Sequence, residues 1–209
     1  MKVINIIGGG CSGFSLSSKS DKLKHYKVNL YAGSDIRDRS KDHIWGFWKT
    51  ELMKDAYEIS EKVWNKWKIV TNENEKIFYS NKHPYCAVKR SKWIKKCEDL
   101  SKNFDVNLIW KNVEERNSVY YVDNKKINGE LIFDSRFPIL QKDILLQHFQ
   151  GAIIECENEV FDESMVTLMD FRCSQSKGLH FIYLLPFSKT NALVESTLFS
   201  KNLEKKKFY

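Results

Sequence analysis

No two of the five cysteines, at 11, 86, 97, 156 and 173, form a C-x-x-C pair, and the five histidines offer no paired zinc spacing. A zinc site of the finger or ribbon type is thereby excluded, and no metal is expected. An odd, scattered set of thiols also argues against a disulfide-stapled secreted scaffold and suits a reducing cytoplasm. No apolar run approaches the ~20 residues that cross a bilayer. No spanning helix is expected, which leaves open a protein that lies on a membrane surface. The chain enters an apolar strand without a charged leader, so no signal peptide is expected. Internal repeats, low-complexity blocks and obvious linkers are absent as well.

What is present begins with aromatic residues. The 209 residues amount to one large domain or an incomplete pair. Six Trp, nine Tyr and thirteen Phe are enough to fill a sizeable core, so the chain is no disordered tail. The formal charge of +7 suits a nucleic acid, an anionic cofactor or an anionic leaflet. That charge is mostly Lys spread through the whole chain, and no nucleic-acid motif accompanies it. A compositional bias is the plainer cause, and no nucleic-acid partner is expected.

The order of elements follows from periodicity. Lys2–Ile7 reads as a buried strand, Gly8-Gly9-Gly10 as a turn, residues 11–19 as a Ser-rich helix and residues 27–31 as the next strand. Apolar residues at 52, 56, 59, 63 and 67 predict a helix over 52–67. Trp93, Cys97, Leu100 and Phe104 predict a second over 91–104. Short extended runs follow at 67–70, 76–79, 106–110, 118–122 and 131–133. Residues 147–154, 165–171, 180–185 and 192–196 read as strands of an antiparallel sheet, and 201–207 as the start of a helix. The expected class is α/β (α+β). A Rossmann-like βαβ portion over 1–140, with a helical insertion at about 50–104, precedes an antiparallel substrate-binding portion over 141–209.

Gly8-x-Gly10-x-x-Gly13 is the dinucleotide fingerprint, placed directly after a strand. The first glycine turns the chain, the second admits a pyrophosphate to the backbone, and the third brings helix and sheet together. The acidic residue that binds the ribose should end the second strand, where Ala32 stands. Asp35, three positions on, is the candidate for that contact.

Residues 42–48 (DHIWGFW) and 179–199 (LHFIYLLPFSKTNALVESTLF) each gather aromatics around one or two polar groups. With the glycine-rich start they suggest a flavoprotein that handles a long apolar molecule. Four pieces in order resemble the lycopene cyclase family, the flavin-dependent carotenoid cyclases. These are the Gly8–Gly13 turn, the His-x-Trp-x-Phe run in 42–48, the strand ending Asp134-Ser135-Arg136, and a long block over 149–200. That block holds Met169-Asp170, Phe181-Ile182-Tyr183 and Glu195-Ser196-Thr197. Residues 85–93 match more loosely. The resemblance covers most of the chain but only the front part of the family's length. The chain is therefore expected to be C-terminally incomplete.

The resemblance implies an isomerisation in carotenoid biosynthesis. A proton adds to a terminal double bond of lycopene or a related linear carotenoid, a ring closes on the cation, and a proton leaves. Glu195 matches the first Glu of the family's Glu-(Glu/Asp)-Thr motif and is expected to be the general acid, kept protonated by apolar surroundings. Ser196 departs from the second acidic position, which removes any shared-proton pair, and Asp170 is a second acid candidate. Trp45, Phe47, Trp48, Phe181 and Tyr183 are expected to line the substrate cavity and face the cation. The cofactor implied is FAD in its reduced state, with NAD(P)H as reductant. Asp134, Arg136 and His43 join the glycines as its expected contacts. The implied setting is cytoplasmic, peripheral on a membrane surface. Three plainer readings stand beside these: a solvent-facing Glu195, rings that only pack a core, and Arg136 in a surface salt bridge. Two other functions also stay open, an inactive fragment and a different flavin-dependent oxidoreductase.

Overall fold

The computed structural model describes residues 2–33, 42–137 and 144–209; Asp35 lies outside them. In chain order, β1 (Lys2–Ile7) leads to α1 (Cys11–Ser17) and β2 (Tyr26–Tyr31). Next come β3 (Ile44–Trp48), α2 (Lys54–Glu58), β4 (Lys62–Trp64), β5 (Lys66–Val70), β6 (Glu75–Tyr79) and β7 (Tyr85–Lys89). The 14-residue α3 (Arg90–Asn103) is followed by β8 (Asn107–Ile109), β9 (Glu114–Arg116), β10 (Val119–Val122), β11 (Lys125–Lys126) and β12 (Leu131–Asp134). The last four strands are β13 (Leu146–Glu155), β14 (Met165–Asp170), β15 (Leu179–Pro186) and β16 (Asn191–Ser200). The chain forms two compact units, Met1–Trp45 with Lys89–Pro138 and Gly46–Val88 with Ile139–Tyr209.

The first unit is built on a parallel sheet in the order β12-β1-β2-β8. Ile4, Ile6, Ile7, Val28 and Leu30 are buried, as strands covered on both faces require. One polar row runs through this sheet. Asn5, Asn29 and Asn107 are in register; Asn107 donates to Asn29 (3.3 Å), Asn29 to Asn5 (2.9 Å), and Asn5 to the Asn128 carbonyl (3.1 Å). Helices α1 and α3 pack together through a Ser17–Ser101 hydroxyl pair at 2.9 Å and a Trp93 indole N–H donated to Ser15 (3.0 Å). The meander β9-β10-β11 turns twice through pairs of left-handed residues, Asn117-Ser118 and Asp123-Asn124, the conformation of two-residue hairpins. Val113 and Ile127, from its two ends, join Ile7 in a small buried cluster.

The second unit holds a six-stranded sheet, β13-β16-β15-β14-β5-β6, and a smaller sheet, β3-β7-β4. The β13–β16 pair is antiparallel over ten residues a side, whereas β14 runs parallel to β5. All four expected antiparallel strands are present, each within a few residues of its predicted span. Three expectations are corrected. The helix over 52–67 is only a 3-10 turn plus α2, five residues long. Beyond Ser60 the sequence Lys-Val-Trp-Asn-Lys-Trp-Lys-Ile-Val is rich in β-branched and aromatic residues, and sheet pairing prevails over the helical period. The expected helix over 201–207 is a short 3-10 turn, Lys206–Phe208. The division at 140/141 also gives way, because β5 pairs with β14 and carries the segment 46–88 into the second unit.

Candidate active site

In the first unit the glycine turn has the form the fingerprint predicts. Gly8 takes φ +111°, closed to ordinary L-residues, and its N–H donates to the Tyr31 carbonyl (2.9 Å). A Cβ at Gly13 would lie 1.9 Å from the Gly8 carbonyl oxygen, so the turn and α1 interlock. Gly10 differs: a Cβ there meets nothing within 4 Å. Two glycines thus serve the turn's own packing, and the third leaves its outer surface bare. That surface suits the close approach of a pyrophosphate.

Asp134 ends β12 opposite Ile7, and the following Ser135 donates to the Ile7 carbonyl (2.9 Å), tying this strand end to the turn. Arg136 grips Asp134 with Nε on Oδ1 (3.0 Å) and Nη2 on Oδ2 (2.7 Å), and reaches the Val113 carbonyl with Nη1 (2.5 Å). Burial pushes the Asp134 carboxyl up, but the Arg136 hydrogen bonds outweigh it and hold the group below the usual carboxylate range. The pair is a fixed ionic post beside the turn, so the salt-bridge reading of Arg136 holds. His43 is exposed, and its backbone carbonyl accepts the Arg90 N–H (2.8 Å). Its neighbour Asp42 accepts both the backbone N–H (3.0 Å) and the hydroxyl of Ser91, anchoring the first turn of α3. The polar start of the 42–48 motif therefore has a local structural duty.

In the second unit Glu195 lies in β16, directly paired with Tyr183 of β15 and Gly151 of β13. It is half-buried, and burial pushes its carboxyl above the ordinary glutamate value; the Thr197 hydroxyl, donated to Oε1 at 3.1 Å, opposes this only in part. Tyr183 is pushed up by burial and by the charge of Glu195. Tyr85 is pushed further up by burial first, then by Tyr183 and Glu195, which places all three groups in one another's electrostatic reach. The carboxyl of Glu195 is thus one that keeps its proton at higher pH than a free side chain does.

Strand alternation settles the role of Ser196. It is buried on the opposite face of the sheet from Glu195 and lies 2.8 Å from His180 Nε2. His180 Nδ1 donates to the Ser174 carbonyl (3.0 Å), and Nε2 hydrogen-bonds with the Ser196 hydroxyl. A carboxylate at 196 would face away from Glu195. The expectation of a shared-proton pair lost at this position is corrected: this strand has none to lose.

The other expected residues divide. Asp170 is a correction: Arg172 donates from Nε to Oδ1 (2.9 Å) and from Nη2 to Oδ2 (2.6 Å). These bonds hold it below the usual carboxylate range, which is wrong for a proton donor. Phe181 is 2% exposed and enclosed by Phe171, Tyr183 and Phe199, with centroids 5.5, 5.1 and 6.2 Å away, so it is a core ring and no substrate contact. In β3 the side chains alternate, so Trp48 and Gly46 share one side while Trp45 and Phe47 take the other. Trp48 meets Trp67 edge-on at 4.5 Å and Tyr85 at 5.0 Å. The register from Tyr183 through Leu185 and Val166 puts Trp67 on the same sheet face as Glu195. Tyr85 and Trp67 were not anticipated. Trp67 was read as the last residue of a helical face and the first of the extended run 67–70, and Tyr85 stands in the loosely matched 85–93 segment.

Comparison with known proteins follows this geometry. The family described as "Lycopene cyclase protein" matches residues 3–206. The neoxanthin synthases of the chloroplast from Solanum lycopersicum and Solanum tuberosum are each 24% identical over 92% of this chain, which spans 43% of their length. A flavin-dependent halogenase from Xanthomonas campestris has a similar fold (TM-score 0.68, 8% identity, 99% of this chain and 57% of that one). So has 2-methyl-3-hydroxypyridine-5-carboxylic acid oxygenase (TM-score 0.63, 11% identity, 97% of this chain and 60% of that one). The α/β class with a Rossmann-like portion is thus shared with these two enzymes, the first of them flavin-dependent, and the chain spans less than half the length of the curated relatives it matches.

Proposed function

The chain belongs to the lycopene cyclase family, and on that premise we propose that it supplies the nucleotide-holding and acid-bearing parts of an enzyme that cyclises the ends of a linear carotenoid. The observation that carries this reading is Glu195: a half-buried carboxyl, raised by burial, on a sheet face with Tyr183 and within reach of Tyr85. Glu195 gives its proton to the inner CH carbon of the terminal isoprenoid double bond. An O–H bond breaks, a C–H bond forms, and positive charge appears on the tertiary carbon. A neighbouring double bond attacks that carbon and closes the ring. A proton then leaves an adjacent carbon for the carboxylate that Glu195 has become, so the acid is restored, the product has the mass of the substrate and no electrons are exchanged. Thr197 holds Oε1 and leaves Oε2 to carry the proton. Aromatic faces stabilise the cation without capturing it, as water would.

The glycine turn fits a dinucleotide such as FAD. Gly8, Gly10 and Gly13 shape the phosphate approach, with the Asp134–Arg136 post beside it, tied in through Ser135. Bound and reduced at the expense of NAD(P)H, the flavin supplies an electron-rich ring that favours nearby positive charge. A cytoplasmic protein resting on an anionic leaflet suits a lipid-borne substrate. The +7 charge supports that placement, and no helix among the described residues is long and apolar enough to cross a membrane. A second reading, a flavin-dependent oxygenase, draws on the fold alone. Expression in lycopene-making cells separates the two. Ring-bearing carotenoid of unchanged mass supports cyclisation, and a gain of oxygen supports the alternative. Absence of ring products in wild type, with protein present, overturns the cyclase reading.

A further inference from the structure

The six-stranded sheet of the second unit ends on one side in β6 and on the other in β13. The two edges are built differently. β6 is five residues long and begins Glu75-Lys76. Short length and charge are the usual guards of a sheet edge. β13 pairs with β16 over ten consecutive residues in unbroken register, and among the described residues no strand pairs with its outer side. In a chain with 34 Lys and Arg, β13 holds neither, nor any proline, and its one carboxylate, Glu155, stands at its last position. Residues 149–155 are all exposed. Phe149 and Ile153 keep 57% and 50% of their surface open, and alternation puts both on the face of Gly151 and Glu195. A long, apolar, unguarded edge is a template for another strand.

We propose that a second copy of this chain covers the outer edge of β13, the two strands pairing antiparallel about a two-fold axis at Gly151 and joining two six-stranded sheets into one. The strand's own sequence points to a second copy. A two-fold axis normal to the sheet keeps each face on its own side, so the residues that meet are those equally spaced about the axis. With the axis on Gly151, Phe149 of each copy meets Ile153 of the other, an aromatic against β-branched pair made twice. Gln147 meets Glu155, Gln150 meets Ala152 and His148 meets Ile154, so no like charges are opposed. Moving the axis one residue either way sets Phe149 or Ile153 against the bare Gly151 and loses both pairs. The guarded β6 edge offers no second site, so association stops at two. A single strand edge buries less than the ~800 Å² per partner of a standard interface, so the dimer is reversible. The pairing bears on the acid as well. Glu195 and Gly151 are in register, so the two Glu195 residues fall in one row on one face, about 14 Å apart across three strand spacings, with two glycines between them. The floor in front of each carboxyl is then bounded by Phe149 and Ile153 of both copies. The pairing rests on strand geometry and not on the cyclase reading.

Sedimentation velocity of the whole chain, from micromolar to several hundred micromolar, is expected to show a reversible monomer–dimer equilibrium. Phe149→Lys and Ile153→Lys alter exposed side chains, so each should fold as wild type does, which urea curves check. Each should weaken dimerisation about 10-fold or more, because one substitution removes both apolar pairs. Ile77→Glu, a charge at an exposed position of the opposite edge strand β6, should dimerise as wild type does. The register has its own test. Phe149→Lys combined with Ile153→Glu in one chain sets a lysine against a glutamate twice, and should dimerise more tightly than either substitution alone. A chain that stays monomeric throughout, oligomers that grow past two, full dimerisation by folded Phe149→Lys, equal weakening by Ile77→Glu, or no recovery in the double variant each overturns the proposal. Ring formation in lycopene-making cells is scored separately. If wild type dimerises with the expected variant pattern and forms no rings, the cyclase reading fails and the dimer stands. If rings form from a chain that is monomeric throughout, the dimer fails and the cyclase reading stands.

Discussion

Gly151 stands directly across from Glu195 in the β13–β16 pair, and a Cβ on it would lie 3.3 Å from the carboxyl Oε2 and 3.2 Å from Leu193 Cδ1. Glycine inside a strand weakens the strand, so its presence marks a place where something must come close. Here that something is the acid itself. Thr197 occupies the other oxygen, Oε1. The oxygen left to carry the proton is thus the one that looks onto the bare position.

Gly151→Ala follows from this pairing. The added methyl is tighter than an ordinary contact and sits over the reactive oxygen, so the carboxyl must shift by a few tenths of an ångström and is more deeply covered. Turnover is expected to fall about 3- to 10-fold, since small misplacements of an acid cost rate steeply. The upper limb of the pH–rate profile should move to higher pH, because further desolvation disfavours the carboxylate. Measured kcat against pH, with urea denaturation as a check on folding, decides it. An unchanged profile would remove Gly151 from the site.

Glu195→Gln separates chemistry from stability. Removing the general acid should lower turnover about 10²- to 10⁴-fold. Stability should move the other way. The folded-state pKa of Glu195 is raised above its unfolded value. As pH climbs through the usual glutamate range, the unfolded chain releases this proton while the folded chain keeps it. Folding stability therefore falls across the window between the two values, and the loss persists above it. Glutamine has no such loss, so the variant should be more stable than wild type at mildly alkaline pH and equal to it below the usual glutamate range. Urea midpoints at the two pH values measure this, and a variant less stable at both would refute the burial argument.

The βαβ opening, α3 and the four long strands were legible because each is announced by one dominant local pattern. Gly8-x-Gly10-x-x-Gly13 after an apolar run admits few alternatives, and β15 holds the unbroken apolar run Phe181–Leu185, too short for a helix and bounded by Pro186. The 52–67 stretch was misread because Leu52, Ala56, Ile59, Val63 and Trp67 satisfy a helical period by coincidence; the extended run at 67–70 was legible, but its parallel pairing with β14, about 100 residues on, was not. Side-chain direction was the second gap. Strand parity splits Trp48 from Trp45 and Phe47, and Glu195 from Ser196, and it follows from the strand assignment alone. The burial of Phe181 and the capture of Asp170 by Arg172 depend on tertiary packing that a single sequence does not display.

The three fingerprint glycines should respond differently to alanine. At Gly13 the methyl would clash with the Gly8 carbonyl at 1.9 Å, and at Gly8 the φ of +111° is strained for any L-residue. Both substitutions should destabilise the first unit, by about 1–3 kcal/mol for the strained backbone. Gly10→Ala meets nothing within 4 Å and should leave urea stability unchanged, within about 0.5 kcal/mol. Its methyl does occupy the approach to the turn, so FAD retention, followed by absorbance after gel filtration, should drop. Unchanged retention in Gly10→Ala would show that the bare surface is not the cofactor's side.

The asparagine row offers a test of what pins the parallel sheet. Asn5 is fully buried; its Oδ1 accepts from Asn29 and its Nδ2 donates to the Asn128 carbonyl. Asn29→Leu leaves the Asn5 oxygen without its donor in a position closed to water, which should cost about 1–3 kcal/mol. Asn5→Leu should cost a comparable amount, because the Asn29 amide and the Asn128 carbonyl then both lose a partner. The double variant removes both halves of the 2.9 Å bond and places apolar groups of similar shape side by side in a sheet interior that is otherwise Ile, Val and Leu. Its cost should therefore be clearly less than the sum of the singles, a coupling readable from three urea curves. Simple additivity would mean that the row does not act as a connected chain, and that register in this sheet is set by its apolar neighbours alone.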